Sequence, residues 1–459
     1  MKKLFFTILI FLTFFGYSQK EIVTFKMLEK KSNAFIKDAT AIVNKNDISI
    51  LLMDDHFIYS SLLDEKFTVK NKQIIENNNY TYFLDNYTNN QTYKVILTNN
   101  NFNKFAVLTN RNNVDFKIEE VNINLKDEDF MFCTVLRNKF YLTTITKDTS
   151  VLNFYILDEE NKLQKKLVDL SSEKFIDPND KRINLHKLLR VNKEYTNYSI
   201  KRVMPIIIRK SFKNIIKINQ KIPSHLTSSI EFSKVYFNDN NCIITLDQNK
   251  KSTQTIHIDL NSLNFKVIRF EKPLQEIKAK KKRSNSFIKE DNIYLISSFK
   301  EKFILLIKNI YSGALIKEFH VSSNSNIAFK NTPIIAKEFG RKKIWNYNKT
   351  KKLINPMSFG YIGVTVFKYN EEYILGIGAL VENDNSNTRI VYIKSKFDKK
   401  FNHLTGKIIE NVFNKADTFK ENETTLGNSA VFFKYHDYYI LGKYLSWPKK
   451  EYRLRKFKD

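Results

Sequence analysis

Short apolar runs alternate with polar tips along the chain, and the pattern repeats. An apolar run at 42–43 leads into the Asn/Asp/Lys tip 44–47, and a second apolar run follows at 48–52. Such runs, bounded by Asn and Asp, are typical of β-hairpins. Two further strands often follow a hairpin, most clearly at 151–157 and 163–170. The repeating unit is therefore predicted to be a four-stranded meander.

Repeated meanders predict an all-β, β-propeller-like array of about seven blades. Seven anchor positions mark the second strand of each copy, and the steps between them run from 35 to 102 residues: Ile48, Phe105, Phe140, Cys242, Tyr294, Tyr373 and Tyr439. The 102-residue step leaves room for a hidden copy with an insertion. In the copy anchored at Tyr373, the last strands are expected at 390–393 and after Lys400. No signature of a known blade type is present, so a pair of β-sandwiches stays open as the alternative.

The N-terminus has the layout of a secretory signal peptide at residues 1–18. Lys2 and Lys3 precede a mostly apolar run at 4–15, and small residues stand just before Gln19. The alternative, a membrane anchor, needs about 20 apolar residues, and this run is shorter. We therefore expect an exported protein, periplasmic or extracellular, with a β-propeller-like domain at 19–459. No transmembrane segment is expected in the mature chain.

Positive charge is concentrated in the later part of the chain. The whole sequence has a formal net charge of +28, yet residues 1–170 hold 22 basic and 21 acidic side chains. The segment 181–221 has 12 basic residues and a single acidic one, Glu194. An asymmetry of this kind indicates a face with a strong positive field.

The basic segment also changes its periodicity, which predicts a partly helical insertion at about 173–225. Leu185, Leu188 and Leu189 fit one short helix, and Ser211 could cap a second that includes Ile216. The candidate contacts for an anion or a membrane surface are four lysines of this segment: Lys210, Lys213, Lys217 and Lys221. The alternative is a solvated face above an apolar stripe.

A second basic run is expected to be an exposed loop between blades. Its candidate contacts for phosphate- or carboxylate-bearing polymers are Lys280, Lys281, Lys282 and Arg283. A nucleic-acid partner is not expected, because the run lacks a recognisable fold motif and the chain is expected to be exported. Binding to an acidic polymer would weaken as salt rises.

No motif for catalysis, for a cofactor or for a metal is visible in the sequence. The seven His residues show no paired metal-ligand spacing, and nucleophile-elbow, zinc-protease and phosphate-loop motifs are not found. Cys133 and Cys242 both lie in segments with a strand-like sequence pattern. They are expected to be either two buried thiols or one disulfide. Gly376 and Gly378 fall within a predicted strand, where they would allow close packing.

The chain resembles uncharacterised exported β-propeller-like proteins of AT-rich Gram-negative bacteria. The resemblance rests on the N-terminal signal, on a composition rich in Asn, Lys, Phe and Ile, and on the sequence segments 329–335 and 455–457. It implies fold and export but carries no known activity. The sequence therefore favours a non-catalytic binding or scaffold protein of the cell envelope, whose partner is an envelope polymer, an anionic lipid surface or a protein. The alternative is a polysaccharide hydrolase or lyase with its acid and base carboxylates on separate blades.

Overall fold

A computed structural model describes most of the chain after the predicted signal peptide. The described residues are 19–26, 36–89, 92–111, 115–191, 215–220, 222–238, 240–277, 282–338, 343–382, 388–408, 430–445 and 450–457. They form an all-β, propeller-like array of antiparallel four-stranded meanders, which confirms the predicted fold class. Seven sheets of four or five strands are present among these residues. The chain divides into two compact units, residues 1–123 with 410–459, and residues 124–409.

The first unit holds three four-stranded sheets. Two are simple meanders, made of β2 Asp38–Val43, β3 Asp47–Met53, β4 Phe57–Asp64 and β5 Val69–Glu76, and of β6 Tyr82–Asn89, β7 Thr92–Thr98, β8 Phe105–Arg111 and β9 Asp115–Val121. The third joins the two ends of the described chain in the order β1-β32-β31-β30, with β1 Gln19–Lys26, β30 Val431–Tyr435, β31 Tyr438–Leu445 and β32 Glu451–Phe457. Strand β1 is antiparallel to β32, and Phe25 and Tyr452 are buried in one core cluster.

The second unit begins with one regular meander and an irregular connection. The meander consists of β10 Glu128–Leu136, β11 Lys139–Thr146, β12 Val151–Leu157 and β13 Leu163–Asp169. The connection holds the short hairpin β14 Phe175–Ile176 and β15 Arg182–Ile183, then the helix α1 Leu185–Val191.

Three further sheets complete the second unit. The first is five-stranded: β16 Ile216–Ile218, β17 Ser233–Asn238, β18 Asn241–Leu246, β19 Ser252–Asp259 and β20 Phe265–Glu271, with helix α2 Leu226–Ser229 between β16 and β17. The next is β21 Arg283–Lys289, β22 Asn292–Phe299, β23 Lys302–Asn309 and β24 Leu315–Ser322. The last has the order β26-β25-β29-β28-β27 and contains β25 Ile334–Glu338, β26 Ile344–Tyr347, helix α3 Lys351–Phe359, β27 Tyr361–Tyr369, β28 Glu372–Glu382 and β29 Thr388–Phe397.

Two strand predictions were wrong in detail. Phe105 begins the third strand of its sheet, not the second, because residues 82–89 form the first strand. In 401–408, the described residues that directly follow Lys400, only an isolated bridge between Phe397 and His403 occurs. The place beside β29 is taken by β25, which comes earlier in the chain and pairs with β29 through Ile335 and its neighbours.

The first helix predicted in the insertion is present. The second predicted helix is wrong at Ile216, its one named residue that the structure describes. Helix α1 buries Leu185, Leu188 and Leu189, as its i, i+3, i+4 spacing predicts. His186 anchors it: Nε2 lies 3.0 Å from Asp129 Oδ2, and Nδ1 accepts the Asp148 N–H at 2.9 Å. Ile216 instead begins β16, a strand parallel to β17, and Ser211 lies outside the described residues.

The two cysteines are buried free thiols, so the disulfide alternative is wrong. Burial raises the pKa of the Cys242 thiol. The close packing expected at Gly378 is confirmed. A Cβ there would collide with the Val391 carbonyl of the neighbouring strand.

Candidate functional site

A cavity of about 390 Å³ lies in the second unit near the first residues of strands β21 and β27, which belong to different sheets. Strand β21 contributes Arg283, Ser284 and Asn285 to its lining, and β27 contributes Tyr361 and Ile362. These two strands contact each other. The volume falls within the range of about 300–1,000 Å³ that is typical of small-molecule sites.

Much of the lining is apolar. We call this part the apolar wall; its residues are Ile230, Phe232, Phe359, Ile362 and Leu380. Phe359 is the last residue of α3 and is 57% exposed, although it is a large apolar side chain. Gly360 ends the helix behind it and donates its N–H to the Pro356 carbonyl. A Cβ at Gly360 would collide with the Leu380 carbonyl oxygen, so the backbones approach closely here.

Two cations also lie in the lining, and we call Lys250 and Arg283 the cation pair. Lys250 stands in the turn between β18 and β19. Asn249 fixes that turn, since its Oδ1 accepts the backbone N–H groups of Lys251 and Ser252 at 2.8 and 3.0 Å. Arg283 is the first residue of β21. Both side chains are half-buried.

The cation pair is poorly compensated by the residues that the structure describes. The Arg283 Nε is buried and has no hydrogen-bond partner among them. Burial, then the nearby charges of Arg283 and Lys272, lower the pKa of Lys250 to about 8. Glu382 is the one carboxylate in the described lining. This part of the cavity therefore favours an anion, since an anion would offset charges that are partly removed from water.

Gln248 adds a directional polar group to the lining. Its side chain is almost wholly buried, and its Nε2 donates to the Ser233 hydroxyl at 2.8 Å. Its Oε1 is buried without a hydrogen-bond partner in the described part of the chain. Buried carbonyl oxygens without a partner are rare in folded proteins, so a hydrogen-bond donor placed next to this oxygen would be stabilising.

A buried charged cluster lies next to these residues in the chain and holds their strands together. The Asp247 carboxylate lies 3.0 Å from both the Lys234 and the Lys272 Nζ, and all three side chains are fully buried. Asp247 also accepts hydrogen bonds from Thr253 and Ser286. Burial alone would raise the pKa of Asp247, but the two ammonium groups and the two hydroxyls outweigh it and lower that pKa.

Of the eight predicted contact residues, three are described and only Arg283 lines the cavity. Lys217 donates from Nζ to the Cys133 carbonyl at 3.2 Å, and its ammonium lies 5.7 Å from the Phe237 ring centre. Lys282 is buried, and its Nζ donates to the Pro273 and Leu274 carbonyls at 3.0 Å. The expectation of an exposed loop is therefore wrong at Lys282, because carbonyl groups hold its ammonium inside the fold. The other five lie outside the described residues: Lys210, Lys213, Lys221, Lys280 and Lys281.

Three important members of the site were not predicted. Lys250 belongs to a Lys-Lys pair that resembles many surface turns, and neither Gln248 nor Phe359 stands in a recognisable motif. The available signal was weak. A helical stretch ended by Gly360 directly before a strand indicates a tight junction, but it does not show which other strands meet there.

Two negative findings apply to the described part of the chain. Within it, no group of three or more His, Cys, Asp or Glu side chains is placed to hold a metal ion. No described helix has both the length and the apolar character that crossing a membrane requires.

Comparison with known proteins gives no family. No protein-family model matches the chain, and no curated protein matches it. Among solved structures, a subtype N11 neuraminidase-like protein of A/flat-faced bat/Peru/033/2010 is 9% identical with a TM-score of 0.31, over 85% of this chain and 96% of that one. The WD40 domain of Toxoplasma gondii coronin is 8% identical with a TM-score of 0.30, over 84% of this chain and 87% of that one. We conclude nothing about function from likenesses at this level.

Proposed function

We propose that this chain is an exported, non-catalytic binding protein of the cell envelope, and that the cavity at Lys250 and Arg283 is its ligand site. The proposal rests on one observation: the cation pair lies in the wall of a largely apolar cavity. The buried Nε of Arg283 has no hydrogen-bond partner among the described residues. Convergent polar groups in an apolar pocket are typical of ligand sites.

Export is part of the proposal and is supported by the sequence at residues 1–18. Gln19, the first residue after the predicted cleavage, is also the first residue of β1. Cleavage there would leave the pairing of β1 with β32 whole, because the register begins at Gln19 and Phe457.

Binding is favoured over the alternative of a polysaccharide hydrolase or lyase. Glycoside hydrolysis usually requires two carboxylates placed on either side of the bond that breaks. The described lining contributes Glu382 alone. The cavity offers cations and apolar surface, which suit retention of a ligand better than acid–base chemistry.

The test is binding of the purified mature chain to peptidoglycan, lipopolysaccharide and anionic vesicles across a salt series. We expect one fraction to bind, and the double variant Lys250→Gln/Arg283→Gln to weaken that binding at least about 10-fold, since each lost charged contact removes roughly 1.5–3 kcal/mol. The matched control is Lys45→Gln/Arg111→Gln, which removes the same net charge from two exposed positions.

Two results would overturn the proposal. Equal binding by the cavity variant and its control, with loss only after Lys210→Glu/Lys213→Glu/Lys217→Glu, would move the site to the basic insertion. Failure of the wild-type chain to bind any fraction would contradict the proposed role as a binding protein of the cell envelope.

A further inference from the structure

We infer that the cavity takes an amphiphilic monoanion, with its acidic head group at the cation pair and its apolar body against the apolar wall. The inference deepens the proposed function, because it names the chemistry of the ligand for the same cavity.

The head group follows from the state of the cation pair. Arg283 Nε is a buried donor without an acceptor among the described residues. Lys250 is half-buried beside it, and the positive charges of Lys272 and Arg283 both act on its ammonium. A carboxylate or phosphodiester oxygen in the cavity would place a negative charge beside both cations, where charge-assisted hydrogen bonds are the stronger kind.

The limit to one negative charge follows from the other polar groups in the lining. Glu382 and Gln248, whose side chains both carry oxygen acceptors, also line the cavity. A second acidic group on the ligand would meet these oxygens rather than a third cation. A hydroxyl or amide N–H of the ligand would suit the Gln248 oxygen instead.

The apolar body follows from the composition of the wall. Phe359 is 57% exposed, while Ile362 and Leu380 of the same wall are buried. Covering apolar surface is favourable by about 25 cal/mol per Å². A ligand that filled only the cationic end would leave this surface in contact with water.

The experiment uses simple probes on the purified full mature chain. Octanoate is the test ligand; octan-1-ol lacks the charge, and acetate lacks the apolar body. We expect calorimetric titration to show octanoate binding at least about 10-fold tighter than either, because both ends contribute. Methyl octyl phosphate, a diester with a single negative charge, and anionic vesicles then distinguish the sources of an acidic head: a free carboxylate, a free phosphodiester or a lipid surface.

Three variants locate the two ends of the probe. Lys250→Gln and Arg283→Lys each should weaken octanoate by about 10-fold or more and leave octan-1-ol unchanged, since each disturbs only the head-group contact. Phe359→Ala should weaken octanoate about 3- to 10-fold and leave acetate unchanged. Leu167→Ala is its control, because Leu167 is similarly exposed, at 59%, on β13 and away from the cavity lining.

A proton balance provides a readout that a merely structural role of Lys250 would not produce. An anion bound at Lys250 favours the charged ammonium, so the pKa of Lys250, about 8 in the free protein, should rise on binding. Titration at pH 8.5 in two buffers of different ionisation enthalpy should therefore show proton uptake, and Lys250→Gln should abolish it.

The outcomes separate this inference from the proposed function. If the Lys250 and Phe359 variants bind octanoate as tightly as the wild type, or if binding occurs without proton uptake, the assignment of the ligand is overturned. This holds even if an envelope fraction binds through the cavity. Tight octanoate binding with the expected variants, but no retention by any envelope fraction, would keep the inference and overturn the envelope role. No binding of any probe at millimolar concentration would overturn the inference directly.

Discussion

Lys250 illustrates, at the scale of a single residue, how binding and stability oppose each other. Its ammonium is half-buried near two other cations, and its pKa is lowered to about 8 from an ordinary value of 10.5. The folded protein therefore holds a charge that the unfolded chain accommodates more easily. A ligand anion would remove this cost, whereas the ligand-free protein bears it.

Replacement of Lys250 by Gln is therefore expected to stabilise the ligand-free protein at pH 7. Between pH 8 and 10.5 the unfolded state binds more protons at this lysine, so the stability of the wild type rises with pH in that window. We expect a gain of about 1 kcal/mol at pH 7, allowing for solvent screening, and a smaller gain at pH 9.5. Urea unfolding of both proteins at the two pH values measures the difference.

The control for this prediction is Lys45→Gln, which removes one charge from an exposed tip. Its effect on unfolding should be small and the same at both pH values. A Lys250 variant that behaves like this control would show that the charge of Lys250 costs the fold nothing.

The individual residues of the site were only partly predictable, for a physical reason. Arg283 was predicted because it belongs to a basic run. The same run predicted an exposed Lys282, but the ammonium of Lys282 donates to carbonyl groups of a turn about nine residues earlier. Lys250 and Phe359 line one cavity only because parts of the second unit that are far apart in the chain pack together. Contacts of that range leave no local pattern in the sequence.

At the scale of the elements, the Asp247 cluster joins parts of four strands around one carboxylate. Lys234 comes from β17, Thr253 from β19 and Ser286 from β21, while Asp247 follows β18 directly. Each group is buried and partnered, which is the condition for a buried charge network to be tolerated. The cluster thereby sets the position of the turn that carries Gln248 and Lys250.

Asp247→Asn is expected to destabilise the protein by about 3–5 kcal/mol, because two buried ammonium groups would lose their counter-charge. The control is Asp180→Asn, which breaks a solvent-exposed pair with Lys251 and should cost less than about 1 kcal/mol. Denaturation midpoints compare the two. If Asp247→Asn does not fold, Asp247→Leu/Lys234→Met/Lys272→Met should recover folded protein, since it removes all three charges.

Hairpins were predictable where apolar and polar residues alternate clearly. The strands at 151–157 and 163–169 match their prediction almost to the residue, because a turn of five polar residues separates them. The strand at 82–89 was missed, since Asp85, Asn86, Thr88 and Asn89 interrupt its aromatic residues; it pairs with β7. The parallel pairing of β16 with β17 was also missed.

For the whole molecule, repetition indicated an array of about seven blades, although it did not fix their number, and it did not indicate the way in which the ends join. Seven sheets of four or five strands occur among the described residues. The pairing of β1 with β32 joins residues more than four hundred positions apart, from Gln19 with Phe457 to Lys26 with Glu451. No local pattern reports on such a contact. It makes the first strand after the predicted cleavage site a structural part of the C-terminal sheet.

Removal of residues 19–26 is therefore expected to damage a sheet built mainly from the other end of the chain. Strand β32 would lose its partner on one side, and Tyr452 and Leu454, both fully buried, would lose their cover from Phe25. The loss should exceed about 3 kcal/mol, since burial of one large apolar side chain contributes roughly 1.5–3 kcal/mol, and an open edge strand promotes aggregation. Thermal unfolding and light scattering of the shortened chain measure both effects.

A synthetic peptide of residues 19–26 should restore stability when added separately, and a scrambled peptide should not. A shortened chain as stable as the full mature protein would show that β1 contributes little to closing the sheet, and it would relax the requirement that export leave Gln19 at the start.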